Sequence, residues 1–116
     1  MLGLAGGQPE AVTARLVAQA AHQNDPLARR LVDEVALALV AGAVGLVNAF
    51  NPCRLILGGG VIEGMPELVE RVAQGVRPLA LAAASAPLQV VPAHLHNDAG
   101  VVGAAALAIR SFDKGE

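Results

Sequence analysis

Three consecutive glycines, Gly58, Gly59 and Gly60, stand directly after the apolar run Leu55-Ile56-Leu57. At the carboxyl end of a parallel strand such a segment lets backbone approach a ligand, and a helix starting beyond it favours negative charge. The competing reading is a tight turn with positive φ, which accounts for one or two of the three glycines. The segment is neither a dinucleotide fingerprint nor a P-loop, since G-x-G-x-x-G is not matched and no Gly-Lys-Ser/Thr follows. A second stretch, Asn97-Asp98-Ala99-Gly100-Val101-Val102-Gly103-Ala104-Ala105, opens a helix with one nearly bare face. It reads as a helix lying close under a ligand or against another lobe, or as one built for close helix packing. His94 and His96 are spaced like strand neighbours around Leu95. Without a third ligand at suitable spacing they read as loop histidines, not metal ligands. Cys53 precedes a run expected to be buried and reads as a structural thiol, not a nucleophile. Asp33, Glu34, Glu67 and Glu70 fall on the outer faces of amphipathic helices and read as solvated charge. No triad, acid pair or magnesium-holding cluster emerges, so no catalytic residue and no metal ligand is assigned.

The elements that must position these residues follow from periodicity. The segment to about Gln8 is loop. A short helix begins at Pro9, with Val12, Leu16, Val17, Ala20 and Ala21 at helical spacing. Asp25 caps, and Pro26 opens, a long helix to Phe50 that Asn51-Pro52 ends. Its first half places Leu27, Leu31, Val35 and Leu39 on one face; its second half is apolar all round and is expected to be buried on every side. Gly42 and Gly45 inside it are tolerable where another backbone approaches closely. Leu55-Ile56-Leu57, apolar without alternation, predicts a strand covered on both faces. A third helix starts near Pro66, with Leu68, Val69, Val72 and Val76 inward, and Pro78 kinks or breaks it before an Ala-rich piece to Ala84. Leu88 to Val91 is a second strand, Ala93 to Asn97 a loop, and Asn97 or Asp98 caps a last helix to about Arg110, followed by a frayed tail from Ser111 to Glu116. The order helix, helix, strand, helix, strand, helix predicts an α/β fold with parallel strands and right-handed crossovers. Two strands make a poor sheet, so neighbouring strands are missing from it.

Composition bounds the partners. The 116 residues suit one domain, and a hydrophobic fraction of 54% against 16% charged residues excludes disorder. The net charge of -2 and the absence of any Lys/Arg cluster exclude direct nucleic-acid binding. With no Trp or Tyr and two Phe, the stacking platforms of single-strand binders are missing too. One cysteine permits no internal disulfide and suits a reducing cytoplasm. The N-terminus lacks a basic n-region and a long apolar core, so a secretory signal is not expected. Val35 to Phe50 carries no charge but is shorter than the ~20 residues of a span and has no basic or aromatic flanks, so it reads as a buried helix and not a membrane segment.

Taken together, Thr13-Ala14-Arg15, Asp25-Pro26-Leu27-Ala28, Asn48-Ala49-Phe50-Asn51-Pro52, Leu55 to Val61 and Asn97 to Ala105 resemble, in order and spacing, the C-terminal part of the ROK family of bacterial glucokinase-like sugar kinases and sugar-responsive repressors. The resemblance runs from about Thr13 to Ile109. It implies part of a ribonuclease H-like, actin-like ATPase domain: residues 1–116 as the C-terminal portion of a two-lobed sugar kinase whose N-terminal catalytic lobe is absent. It further implies that Gly58, Gly59 and Gly60 contact the adenosine part of ATP, which carries Mg in the complete protein, and that the last helix braces the lobes. The phosphate loop, catalytic base and sugar-contacting residues of the family lie upstream, so no kinase activity is expected from these residues alone. His96 stands where the family usually has Gly, and Cys53 where Glu is usual. In the family fold an upstream strand pairs with the first strand here. Its open edge, with the apolar half of the long helix, predicts self-association. The alternatives are a fragment of a sugar-responsive ROK repressor and a non-catalytic oligomerising α/β module.

Overall fold

The computed structural model describes residues 1–113, without the side chain of Asn97. The proposed cap at Asn97 and residues 114–116 of the expected tail lie outside the described residues, and Ser111 to Asp113 of that tail continue the last helix instead of fraying. A 3-10 turn at Pro9–Ala11 leads to α1 (Ala14–His22), which Thr13 caps by accepting a hydrogen bond from the Leu16 N–H at 3.3 Å. α2 (Pro26–Phe50) starts at Asp25, whose Oδ1 accepts from the Ala28 N–H at 2.9 Å, and stops at Asn51, which turns into the left-handed region at φ 47°. β1 (Arg54–Leu57) follows, then α3 (Gly60–Gly64), α4 (Glu67–Leu79), α5 (Ala82–Ser85), β2 (Gln89–Pro92), a 3-10 turn at His96–Asp98 and α6 (Ala99–Asp113). Pro78 acts as expected: α4 ends one residue later and the chain resumes as α5. Asn48, the one polar residue in the apolar half of α2, accepts a hydrogen bond from the Leu81 N–H at 2.9 Å and so ties down the α4–α5 turn.

β1 and β2 pair in parallel, Arg54 opposite Gln89 through Leu57 opposite Pro92, and form a two-stranded sheet among the described residues. The strand is not covered on both faces. Leu55, Leu57 and Val90 pack against the helices, while Ile56 is 61% exposed on the outer face. Contiguous apolar residues therefore disguise a half-covered strand.

The core lies along one stripe of α2: Ala28, Val32, Ala36, Val40, Ala43 and Val47. This is not the leucine face. Leu27, Leu31 and Val35 are exposed, and so are Leu37, Leu46 and Phe50, so the second half of α2 is buried on one side only. The physical reason is size. Ala and Val on the stripe let α1 and α4 come close, and the larger leucines fall outside the seam. Two clusters result. Ala18, Val32, Ala36, Ile62, Met65 and Leu68 form one, under α1 and α3. Val40, Ala43, Val47, Val72, Val76 and Leu88 form the other, under the sheet. By length and composition α2 is also apolar enough to cross a membrane. Within the fold it is the platform for α1 and α4.

Close backbone approach occurs at Gly75, not at Gly42 or Gly45. Around a Cβ built on either of those two nothing lies within 4 Å, whereas one on Gly75 would meet Val40 Cγ2 at 2.6 Å. α6 has no buried residue, and Gly100 and Gly103 face open space, so its small residues are not used for packing among the described residues. The Cα radius of gyration is 17.9 Å, against roughly 13 Å for a compact domain of this length.

Candidate functional site

The parallel pairing places the carboxyl ends of β1 and β2 side by side, and a cavity of about 370 Å³ opens there. Its wall is mostly apolar, from Leu57, Ile62, Pro66, Val69, Pro92 and Ala93, with Glu63 and His96 as its ionisable side chains. The Ala93 N–H donates to the Leu57 carbonyl at 2.7 Å, which extends the ladder past the strands and fixes the cavity floor.

The three glycines take different places. Gly58 lines the cavity, and a Cβ there would press on the Ala93 Cβ at 3.0 Å, so a side chain fits only if Ala93 gives way by a few tenths of an ångström. Gly59 has φ 97° and caps α3, a backbone state that only glycine adopts without strain. Gly60 is the first residue of α3 and lines a neighbouring cavity of about 340 Å³ with Arg15 and Glu63. The helix after the bend is therefore five residues long. So short a helix adds little dipole for a bound anion.

Glu63 is the functional candidate that pattern reading missed. It sits between the two cavities, its N–H donating to the Gly59 carbonyl at 3.0 Å. Its Oε1 is closed to solvent and finds no hydrogen-bond partner among the described residues. An unpaired buried oxygen costs about 1–3 kcal/mol. The available signal was a lone carboxylate in the apolar stretch Val61-Ile62-Glu63-Gly64-Met65, just past the glycine bend.

His96 stands in the left-handed region at φ 48°. That conformation explains why glycine suits the position and why the imidazole is directed to the cavity rim. His94 is exposed beside it, and no group of three metal-ligating side chains occurs among the described residues. Cys53 is exposed, not buried: it lies in the bend after Pro52, one residue before β1 begins. Asp33, Glu34, Glu67 and Glu70 are exposed as expected. Asp33 accepts from Arg71 at 2.7 Å and Glu67 lies 3.1 Å from His22, cross-helix pairs at the solvent rim.

Comparison with known proteins adds independent information. The ROK family model matches residues 2–111. A glucokinase of Halalkalibacterium halodurans is 35% identical over 79% of this chain and 28% of its own length. A glucokinase of Thermotoga maritima is 32% identical over 87% of the chain and 32% of its own length. A kanosamine kinase of Amycolatopsis mediterranei is 33% identical over 84% of the chain and 32% of its own length. The chain thus spans about a third of the length of these relatives. A crystal structure described as a sugar kinase of Cytophaga hutchinsonii superposes with a TM-score of 0.72 at 23% identity, covering 84% of this chain and 33% of the other, and so shares its fold.

Proposed function

This chain belongs to the ROK family, and from that premise we propose that it is the C-terminal portion of a glucokinase-like sugar kinase and supplies the adenosine side of an ATP site. The relatives named above are kinases, which favours this reading over a repressor. The finer architecture we propose is part of a ribonuclease H-like domain, in which a strand from the remaining polypeptide pairs with the free edge of β1.

One observation carries the site: the cavity at the carboxyl ends of two parallel strands, with Gly58 in its wall where a Cβ would strike Ala93 at 3.0 Å. Ligands of α/β folds gather at such strand ends. The apolar wall suits the flat base of a nucleotide, and Gly58 and Gly59 let main chain lie against the sugar. ATP supplies the transferable phosphoryl group. The residues here bind and orient its nucleoside end, and Gly60 begins the turn of helix that backs it. The base, the phosphate cradle and the Mg site are assigned to the rest of the kinase.

We also propose that the chain is cytoplasmic, binds neither nucleic acid nor membrane, and covers its exposed apolar surface by self-association or by docking on the remaining lobe. Ile56 on the outer sheet face and Phe50, 76% exposed at the end of α2, motivate this. Calorimetry tests the site. Saturable binding of ATP to the chain, with no turnover of glucose, is expected. A folded chain that binds no nucleotide, or one that phosphorylates glucose by itself, overturns the proposal. Sedimentation showing a stable monomer at all concentrations overturns the self-association.

A further inference from the structure

We infer that the Glu63 carboxylate reads the ligand in the cavity at the ends of β1 and β2, accepting a hydrogen bond from a neutral N–H or O–H donor on the nucleoside. This rests on the nucleotide reading above and adds to it the residue that selects which end of the nucleotide enters. Its foundation is the half-buried Glu63 side chain, which lines both cavities while its Oε1 is closed to solvent and without a partner among the described residues, so that rotation about its last torsion presents a carboxylate oxygen to the ligand. Buried polar atoms are almost always paired, and an ionised carboxylate only accepts, so what completes Glu63 is a donor. Among the described residues no donor is paired with Oε1. Arg15 lines the adjoining cavity with Glu63 but forms no ion pair with it. His96 shares the main cavity but is not a partner of Glu63 Oε1.

The rest of the wall narrows the ligand. Ile62, Pro66, Val69 and Pro92 present apolar surface, and about 370 Å³ is enough for a small ring system. A phosphate beside this carboxylate would be repelled in a poorly hydrated site. The charged end of the ligand therefore points away, and the nucleoside end carries the donor. Two groups of adenosine have this chemistry, the exocyclic amine of the base and the ribose hydroxyls. Glu63 accepts from one of them.

The test is calorimetry on the whole 116-residue chain, as wild type, Glu63→Ala and the near-isosteric Glu63→Gln. The ligands are ATP, adenosine, 2′,3′-dideoxy-ATP and N6,N6-dimethyl-ATP. Glu63→Ala is expected to weaken ATP roughly 10- to 100-fold, as loss of a charge-assisted bond does. Glu63→Gln keeps shape and an acceptor and falls between. One analogue binds the wild type more weakly than ATP by a similar factor, and loses nothing further in Glu63→Ala. The dideoxy compound in that role identifies the ribose; the dimethyl compound identifies the base. Equal ATP affinity for wild type and both variants overturns the role of Glu63 and leaves the nucleotide reading intact. Weakened ATP binding by Glu63→Ala, with both analogues bound like ATP by the wild type, makes Glu63 a structural residue and also overturns it. A folded wild type that binds neither ATP nor adenosine overturns both.

Discussion

The seam between α2 and α4 and the last helix, α6, are both lined with apolar side chains and physically opposite. Along the seam Val47, Val72 and Val76 are fully buried, and Gly75 lets α4 sit directly on Val40. On α6, by contrast, Val101, Leu107, Ile109 and Phe112 are exposed, the last at 81%, and Ile56 is likewise exposed on the bare sheet face. Hydrophobic content alone does not make a core. What separates the two regions is whether side-chain size lets a second element within reach. The seam has small residues facing medium ones. The last helix has small and large residues facing nothing among the described residues, which is the condition of a surface completed by another chain or another lobe.

The largest effect that probes this contrast is a truncation on each side. Leu68 is fully buried under α1 and α3, and Leu68→Ala is expected to cost about 2–5 kcal/mol. Typical domains hold only about 5–15 kcal/mol, so the variant loses a large share of its stability. Leu107→Ala on α6 is expected to change stability by no more than about 0.5 kcal/mol. Urea midpoints for the two variants check this. Comparable losses would show that α6 is packed in solution, and a loss for Leu107→Ala that grows with protein concentration would place it in an interface between copies.

A glycine pair gives the next effect. In Gly75→Ala the new Cβ would lie 2.6 Å from Val40 Cγ2 and 3.0 Å from Cγ1. Val40 is β-branched with essentially one helical rotamer, so it cannot swing aside. Destabilisation of about 1–3 kcal/mol is expected, partly recovered in the double variant with Val40→Ala. Gly103→Ala has nothing within 4 Å and should stabilise by up to about 1 kcal/mol through helix propensity. Thermal melts of the two single variants moving in the same direction would erase the distinction between the regions.

The pattern of residues carried some of this and concealed the rest. Chain reversals were legible because they rest on local chemistry: Asp25-Pro26 starts α2, Asn51-Pro52 ends it, Pro78 closes α4, and the glycine bend follows β1. The orientation of α2 was not. Leu27, Leu31 and Val35 suggest a core face four residues apart, yet the Ala/Val stripe one position on is the buried one. Periodicity reports that an apolar face exists; steric fit to α1 and α4 decides which face is used. Gly75 and Glu63 escaped notice for the same reason. A glycine beside a valine from another helix is a tertiary fact with no local signature, and a lone carboxylate in the apolar stretch from Val61 to Met65 does not by itself say that it lies between two cavities.

A smaller effect bears on the cavity rim. His96 holds a left-handed backbone at φ 48°, which costs a residue with a Cβ about 1–2 kcal/mol. Part of that gain is lost to the extra unfolded-state freedom of glycine, so His96→Gly is expected to stabilise by up to about 1 kcal/mol. It also removes an imidazole from the cavity wall. A raised melting temperature with unchanged ATP affinity would make His96 a bystander. A raised melting temperature with altered affinity would make it part of the binding surface.

The last and smallest effect is a pH dependence confined to the α1–α2 side. Asp25 accepts a bond at 2.7 Å from the Met1 ammonium and at 2.9 Å from the Ala28 N–H. The ammonium first, and the backbone bond second, hold its carboxyl below the ordinary value of 3.8. The folded protein therefore binds this proton less readily than the unfolded chain. The stabilisation is complete above the ordinary carboxylate range and fades as pH falls through the lowered value. Asp25→Asn keeps a capping acceptor but removes the charge, so it should forfeit this contribution at neutral pH and flatten that part of the acid limb. Hydrogen exchange as a function of pH locates the response. Protection of the first turn of α2 should fall with acid in the wild type and not in the variant, while amides of β2 and α6 follow the same course in both.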